Sequence, residues 1–187
     1  MAKTKNNIFM NGLSGTVGKQ MTLSQKAGDT IVGKKRGSSN IPATDNQLDI
    51  QDRFKIASKY AQAAMKDPAT KAIYLAAAKK SQSAYNVALA DAFSAPEIKS
   101  INIANYHGVP GDIISIRAID FKVARVQVLI SDAAGAMIEL GNAVLPANSL
   151  DWKYTVIAQN DTLAGTRIRV TAIDLPENET VKEVVVV

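Results

Sequence analysis

Apolar positions recur with two different periods along the chain, and the change falls at Pro96. Between Phe54 and Met65, apolar residues return every three or four positions, which is typical of an amphipathic helix. From Trp152 to Val156 they return at every second position, which is typical of a strand with one buried face. The pattern therefore predicts an α+β protein, with helices before Pro96 and strands after it.

Three helical segments are predicted in residues 44–95. Thr44 and Gln47 have the spacing of a capping box, which places the start of a first helix that reaches about Lys66. Asp67 and Pro68 start a second helix, with Asp as the N-cap and Pro in the first turn. A third, Ala-rich segment completes this helical unit. The positions expected to be buried are Phe54, Ala57, Ala61, Ala64 and Met65 in the first helix, and Ile73, Tyr74 and Ala76 or Ala77 in the second.

Residues 96–187 are predicted to form a separate domain of seven strands. Turns rich in Gly, Pro and Asp separate the strands, and seven strands in about ninety residues are typical of a sandwich of two sheets. Trp152 is expected inside it, facing Ile168 or Val170. The predicted strands are Ile98–Ile103, Ile113–Ile119, Val123–Ser131, Met137–Leu140, Trp152–Ala158, Thr166–Ile173 and Val181–Val187.

Residues 1–43 are predicted to be a β-hairpin arm followed by a linker. The chain turns at Lys26–Asp29, between two segments that alternate apolar and polar residues. A lone hairpin buries too little apolar surface to be stable. The arm must therefore pack on the helices, on the C-terminal domain or on another molecule. Its apolar residues, the candidate assembly interface, are Ile8, Phe9, Met10, Leu13, Met21, Leu23, Ile31 and Val32.

Residues 98–187 resemble a bacterial immunoglobulin-like (Ig-like) domain. The resemblance is carried by the strand end Ala118–Asp120, the hairpin Asp132–Gly135, the single Trp152 and the segment Thr171–Asn178. It implies a seven-stranded Ig-like β-sandwich and a role in adhesion, spacing or assembly. The chain lacks the cysteines of antibody domains and the Asp-Asn-Asp linker of cadherins, so neither a disulfide nor calcium binding is implied. Residues 1–95 resemble no family of known function.

The two halves carry opposite net charge. Residues 1–95 hold fourteen Lys and Arg against six Asp and Glu, a net +8, and residues 96–187 hold eight against eleven, a net −3. A basic face could follow nucleic-acid phosphates, but aromatic residues are sparse among the basic ones, so a solvated surface is favoured and nucleic acid is not expected. Opposite charge also favours attraction between copies. The basic positions are Lys34, Lys35, Arg36, Lys55, Lys59 and Lys66.

No set of residues able to catalyse a reaction stands out, and no cofactor is expected. The chain has no cysteine, which excludes a disulfide or a cysteine nucleophile. His107, the only histidine, lies in a turn rich in Gly and Pro, where an exposed loop residue is favoured over a catalytic one. The segment Gly12–Lys19 misses the phosphate-loop pattern, since Leu13 stands where Gly is needed and Gln20 where Ser or Thr is needed.

Most acidic residues of the second half lie at predicted strand ends. Loops that converge at one end of a sandwich could hold calcium, which takes several oxygen ligands at one point. Turn-forming and capping roles are favoured, and no metal site is assigned. The residues concerned are Asp112, Asp120, Asp132, Asp174, Glu177 and Glu179.

The last predicted strand, Val181–Val187, carries valine on both faces. It is either the buried final strand of its own sandwich or an edge that pairs with another subunit, where Val185 and Val187 would join the interface. No run approaches the ~18 apolar residues of a membrane span, and no signal peptide is apparent. We therefore expect a protein that is cytoplasmic at synthesis, with its final location open, including an extracellular or phage-like assembly.

These observations lead to a non-enzymatic structural protein as the expected function. It would be a self-assembling subunit of a fibre, a tube or a surface or phage-like assembly, joined through the arm and the strand edges. Its partners would be copies of itself and possibly another protein. Two alternatives stay open: an Ig-like binding or adhesion module that is a monomer or small oligomer, and a nucleic-acid-associated protein that uses the basic half.

Overall fold

The computed structural model describes residues 2–4, 8–26, 28–35, 37, 41–147 and 149–186. In this part of the chain an N-terminal sheet is followed along the sequence by three helices and then by the strands of two further antiparallel sheets. The α+β class is therefore confirmed. Arg36 and Val187, two of the predicted interaction residues, lie outside the described residues.

The arm is a four-stranded antiparallel sheet, so the prediction of a two-stranded hairpin is wrong in strand number. The hairpin itself is confirmed: β3 and β4 pair from Lys26 opposite Asp29 to Met21 opposite Lys34. β1 pairs with β4, and β2 with β3, at the two edges. Each edge strand has three residues, which is too few to show a period in the sequence. The strands are β1 Ala2–Thr4, β2 Gly15–Val17, β3 Met21–Lys26 and β4 Asp29–Lys34.

The first two helices begin where their capping residues predict. Thr44 and Gln47 form the full capping box, and the Asp67 side chain accepts a hydrogen bond from the backbone N–H of Thr70. Ser83 caps the third helix in the same way. Each cap satisfies backbone donors that would otherwise lack a partner at a helix start. The helices are α1 Asp45–Ala64, α2 Pro68–Ala77 and α3 Ala84–Phe93.

Small residues allow the helices to approach closely around Tyr74, which is fully buried. α1 packs mainly on α3, and α2 also packs on α3. The alanine positions predicted for α1 are confirmed as buried. The buried residues of this cluster are Ala61, Ala64, Tyr74, Ala84 and Ala88, and Ala57 is buried beside it.

Five of the residues considered for the helical core are not fully buried. Phe54 is 51% exposed, and it lies next to Arg53, beside the end of α3. Arg53 marks the end of α3, since its guanidinium donates to the Phe93 carbonyl and lies over the Phe93 ring. Residues of α1 before Arg53 therefore extend past α3. On the outer side of the bundle Ala76 and Ala77 are exposed, and Met65 and Ile73 are half-buried.

Seven strands lie between Glu97 and Val185, close to their predicted positions. They form a four-stranded sheet of order β11-β10-β7-β8 and a three-stranded sheet of order β5-β6-β9. β9 ends three residues earlier than predicted, and β11 begins two residues earlier. The strands are β5 Glu97–Asn102, β6 Ile113–Ile119, β7 Val123–Ser131, β8 Met137–Asn142, β9 Trp152–Thr155, β10 Arg167–Asp174 and β11 Glu179–Val185.

Side chains from both sheets share one buried cluster. Trp152 was expected inside it, but the indole is only partly buried and packs at its margin. Trp152 is the first residue of β9. Two residues later in the same strand, Tyr154 is the buried aromatic side chain, 3% exposed. The cluster includes Ile114 and Ile116 from β6, Val126, Val128 and Ile130 from β7, and Ile168, Val170 and Ala172 from β10.

Asn160 ties together the two loops that precede β6 and β10. Its backbone N–H donates to the Gly108 carbonyl at 2.8 Å. Its side-chain amide donates to the Tyr106 hydroxyl at 3.0 Å and to Thr166 Oγ1 at 2.8 Å. Buried polar groups of this kind are costly to leave unpaired. The close approach of Gly108 to Asn160 therefore sets how the loops meet.

We expect Gly108→Ala to destabilise the protein by at least about 2 kcal/mol more than Gly111→Ala. Both glycines have a positive φ, +78° and +99°, so alanine is strained at either position. A Cβ at Gly108 would also overlap the Asn160 carbonyl and lie 2.8 Å from Leu163 Cδ2, whereas at Gly111 no atom lies within 4 Å. Urea unfolding of the two variants measures the difference. Equal losses would show that the loops separate freely.

Candidate assembly surfaces and a buried acid cluster

One face of the arm sheet is apolar at one end and covered at the other. The strand register places Val17, Met21, Leu23 and Val32 on this face, because residues directly opposite each other share a face. The loop before β2 is held against the other end, where Gln25 donates to the Leu13 carbonyl at 2.6 Å and Thr30 to the Met10 carbonyl at 2.8 Å. Only part of the face is therefore open.

The arm exposes four of the eight apolar residues predicted as its interface. Ile8 and Phe9 are each 86% exposed, and Leu13 and Met21 are nearly half exposed. Met10, Ile31 and Val32 are half-buried. Leu23 is buried within the arm, 5% exposed. Among the described elements, the arm strands make their main packing contacts with one another.

The open end of the arm face is a basic cavity of about 810 Å³. Met21 and Val32 give it an apolar lining, and three lysines surround them. Lys34 and Lys35 were predicted as part of a basic face, whereas Lys19 was considered only as the end of a segment that misses the phosphate-loop pattern. The lining residues are Lys19, Gln20, Met21, Val32, Gly33, Lys34 and Lys35. We call this site the arm cavity.

A second exposed surface lies on residues 45–54, which we call the leading half of α1. Ile50 and Phe54 are 54% and 51% exposed. They continue the helix face that buries Ala57 and Ala61, since the four residues follow helical spacing. The continuation is uncovered because α3 ends beside Arg53. The predicted basic residues Lys55, Lys59 and Lys66 are also exposed on or just after α1, and Lys55 pairs with Asp52 at 2.8 Å.

The final strand, β11, pairs within its own chain and is an edge strand of the four-stranded sheet. β11 pairs with β10 from Glu179 to Val185. Val185 is 48% exposed, so this edge keeps some apolar surface. Lys182 reaches across to donate to the Ile98 and Lys99 carbonyls of β5. A lysine at a sheet edge disfavours pairing with another strand, which favours the arm over this edge as an interface.

Three carboxylates meet where the helices contact the sheets. Asp91 comes from α3, Asp174 from the end of β10 and Asp120 from the turn after β6. Tyr74 donates to Asp91 Oδ2 at 2.6 Å, and its ring stacks on Phe121 with centroids 5.4 Å apart. The contacts therefore join side chains from both sides of Pro96.

Further hydrogen bonds secure this cluster. The Tyr60 and Tyr74 hydroxyls are 2.9 Å apart. Asn178 donates to both oxygens of Asp174, at 2.6 Å from its backbone and 2.8 Å from its side chain. The same side chain donates to the Ser94 carbonyl at 3.1 Å, just beyond α3. Asn178 therefore connects the end of the helical unit to β10.

Burial raises the pKa of Asp91 to about 6, against the opposing effect of its hydrogen bond from Tyr74. The nearby charges of Asp120 and Asp174 raise it further. Burial also raises the pKa of Asp174 and of Tyr74. Among the described residues, Asp91 Oδ1 and Asp120 Oδ2 are buried without a hydrogen-bond partner. A proton on Asp91 would reduce the repulsion within the cluster.

We expect stability to fall as the pH rises from about 4 to 7, and Asp91→Asn to remove much of that fall. The folded protein holds the Asp91 proton up to a pKa of about 6, whereas the unfolded chain loses it near 3.8. The stability that this proton contributes is complete below the pKa of the unfolded chain and is lost as the pH rises through the pKa of the folded protein. The shift corresponds to about 3 kcal/mol. Unfolding curves at several pH values test this, with the exposed Asp161→Asn as control. An unchanged pH dependence in Asp91→Asn would contradict it.

The acid cluster was missed in the sequence, although one signal was present. Asp91 follows Ala84 and Ala88 by seven and three residues, on the helix face that those alanines bury. The identity of its acidic neighbours depends on how the chain folds. No group of three or more His, Asp or Glu side chains in the described ranges is arranged to hold a metal ion.

Other acidic residues form turns, as favoured from the sequence. Asp112 accepts the backbone N–H groups of His107 and Val109 at 2.6 and 3.1 Å, and Asp132 accepts that of Ala136 at 2.8 Å. The His107 imidazole is exposed and lies 3.7 Å from Asp112. Asp112 therefore holds the turn that contains His107 and Val109, and Asp132 holds the turn before β8.

Comparison with known proteins gives no relative: no family model, curated protein or solved structure matches the chain. None of the helices in the described part of the chain is long and apolar enough to cross a membrane. The surfaces themselves are therefore the basis for a functional proposal.

Proposed function

We propose that the protein is a non-enzymatic structural subunit that associates with copies of itself through its N-terminal arm. The observation that carries this proposal is the exposure of Ile8, Leu13, Val17 and Met21 on an arm whose main packing is internal. Clustered exposed apolar residues are typical of interaction sites. Covering them on a neighbour would remove apolar surface from water, at about 25 cal/mol per Å².

We also infer that residues 97–185 form an Ig-like sandwich that serves as the body of this subunit. Their seven strands divide four and three between two sheets around a shared cluster, which supports this inference. In the constant-type arrangement the fourth strand pairs with the fifth. Here the fourth, β8, pairs with β7 instead. The inferred sandwich therefore differs from that arrangement in the position of one strand.

A binding module is the second candidate, and one observation favours it. A cavity of about 480 Å³ lies beside Trp152, with Phe121, Leu145 and Leu150 also in its lining. This volume falls within the range of small-ligand sites. The arm strands make their main packing contacts with one another, and Ile8 is 86% exposed, so we place self-association first.

Removing residues 1–37 should leave a folded monomer, whereas the full-length chain should form oligomers or polymers. Light scattering after size-exclusion chromatography measures the mass, and circular dichroism checks the fold. Val17→Thr with Met21→Thr should weaken association while keeping residues that favour strands. Thr16→Ser with Ser24→Thr, on the opposite face, is the matched control.

A full-length protein that stays monomeric at high micromolar concentration, with no assemblies in negative stain, would overturn self-association. Assembly that survives the removal of the arm would place the interface elsewhere. A monomer that binds a ligand in the cavity beside Trp152 would make the binding module the better account.

A further inference from the structure

We propose that Asp91 and Asp120 share one proton where the helices contact the sheets, and that this proton is a pH-sensitive switch for that contact. Asp91 lies on α3, and Asp120 lies in the turn after β6. A hydrogen bond between their side chains would join the parts of the chain on either side of Pro96. The inference concerns the interior of one subunit, so it does not depend on the proposed self-association.

Each of the two carboxylates has one buried oxygen that lacks a donor. Asp91 is 4% exposed, and its Oδ1 has no hydrogen-bond partner among the described residues, whereas its Oδ2 accepts from Tyr74 at 2.6 Å. Asp120 Oδ2 likewise lacks a partner, whereas its Oδ1 accepts the backbone N–H of Phe121 at 2.7 Å. A buried acceptor without a donor is costly, and more so when it is charged.

The two side chains belong to one cluster. Tyr74 donates to Asp91, and its ring stacks on Phe121, the residue after Asp120. The negative charge of Asp120 acts on Asp91. An ionised carboxylate can only accept hydrogen bonds, whereas a protonated one has an O–H that donates. One proton on Asp91 Oδ1 would therefore give Asp120 Oδ2 its missing donor and would remove the repulsion between two buried charges.

The other groups that face Asp91 leave Asp120 as the partner for this proton. Asp174 already accepts two hydrogen bonds from Asn178. No ion pair in the described ranges involves a carboxylate of this cluster, so no cation neutralises it there. The titratable groups around Asp91 are Tyr60 from α1, Tyr74 from α2, Asp120 from the turn after β6 and Asp174 from β10.

The pH range of the switch follows from the pKa of Asp91, which burial raises from 3.8 to about 6. The contact between helices and sheets therefore holds a proton that an opened contact releases. Its stabilising effect is complete below 3.8 and is lost as the pH rises through about 6. The helices and the two later sheets have separate buried clusters. Neutral pH should therefore loosen the helices while the sheets stay folded.

Hydrogen–deuterium exchange of the full-length chain tests the switch. From about pH 5 to about pH 7 we expect the open population of α3 to rise about tenfold relative to that of β7 and β10, after correction for intrinsic exchange. In Asp91→Asn the side-chain amide replaces the protonated carboxyl, and in Asp120→Asn an amide donates from the opposite side. Both variants should lose most of the rise. Asp161→Asn, at an exposed carboxylate, is the control and should keep it.

Infrared spectra of the parent protein give a second readout that needs no variant to fold. The carbonyl band of a protonated carboxylic acid should be present at about pH 5 and lost as the pH rises through the pKa of Asp91. A folded parent without this band would overturn the inference. A rise in α3 opening that persists in Asp120→Asn would show that burial alone protonates Asp91, which also overturns it. Equal opening of α3, β7 and β10 would show that the chain opens as one unit and that the contact is not a switch.

Discussion

Tyr74 is the residue on which the connection between the helices and the sheets depends. It is fully buried, it donates to Asp91 on α3, and its ring stacks on Phe121 after β6. The alanines of α1 and α3 allow these helices to approach closely, and Tyr74 is buried in the same cluster. The same burial brings Asp91 near Asp120 and Asp174, and it removes water that would otherwise solvate their charges.

The exposed apolar surfaces of α1 and of the arm arise where an element extends beyond the part that packs against it. α1 is twice as long as α3, so a helix face that is buried at Ala57 and Ala61 continues uncovered to Ile50. The arm sheet likewise buries Leu23 under one end of its face and leaves Met21 open at the other. In both places the exposed apolar surface continues a buried one, which distinguishes it from single apolar residues scattered on a surface.

The sequence predicted local features well where one residue or one period decides them. Thr44 and Asp67 cap helices because a side-chain oxygen can reach a backbone N–H only three residues away. The strand positions after Pro96 followed from alternation. Phe54 and Trp152 were placed wrongly because periodicity reports which face of an element is apolar. It does not report how far the neighbouring element extends along that face.

By itself, the sequence determined the α+β class, the helix starts, the hairpin between β3 and β4 and the opposite charge of the two halves, since these depend on neighbouring residues or on composition. Only the tertiary structure decided which faces are covered, that two three-residue strands complete the arm sheet, and that Lys19 joins Lys34 and Lys35 around one cavity. It also decided that Asp91, Asp120 and Asp174 meet, although 83 residues separate the first from the last. Proximity of this kind is set by the packing of whole elements, which no local pattern encodes.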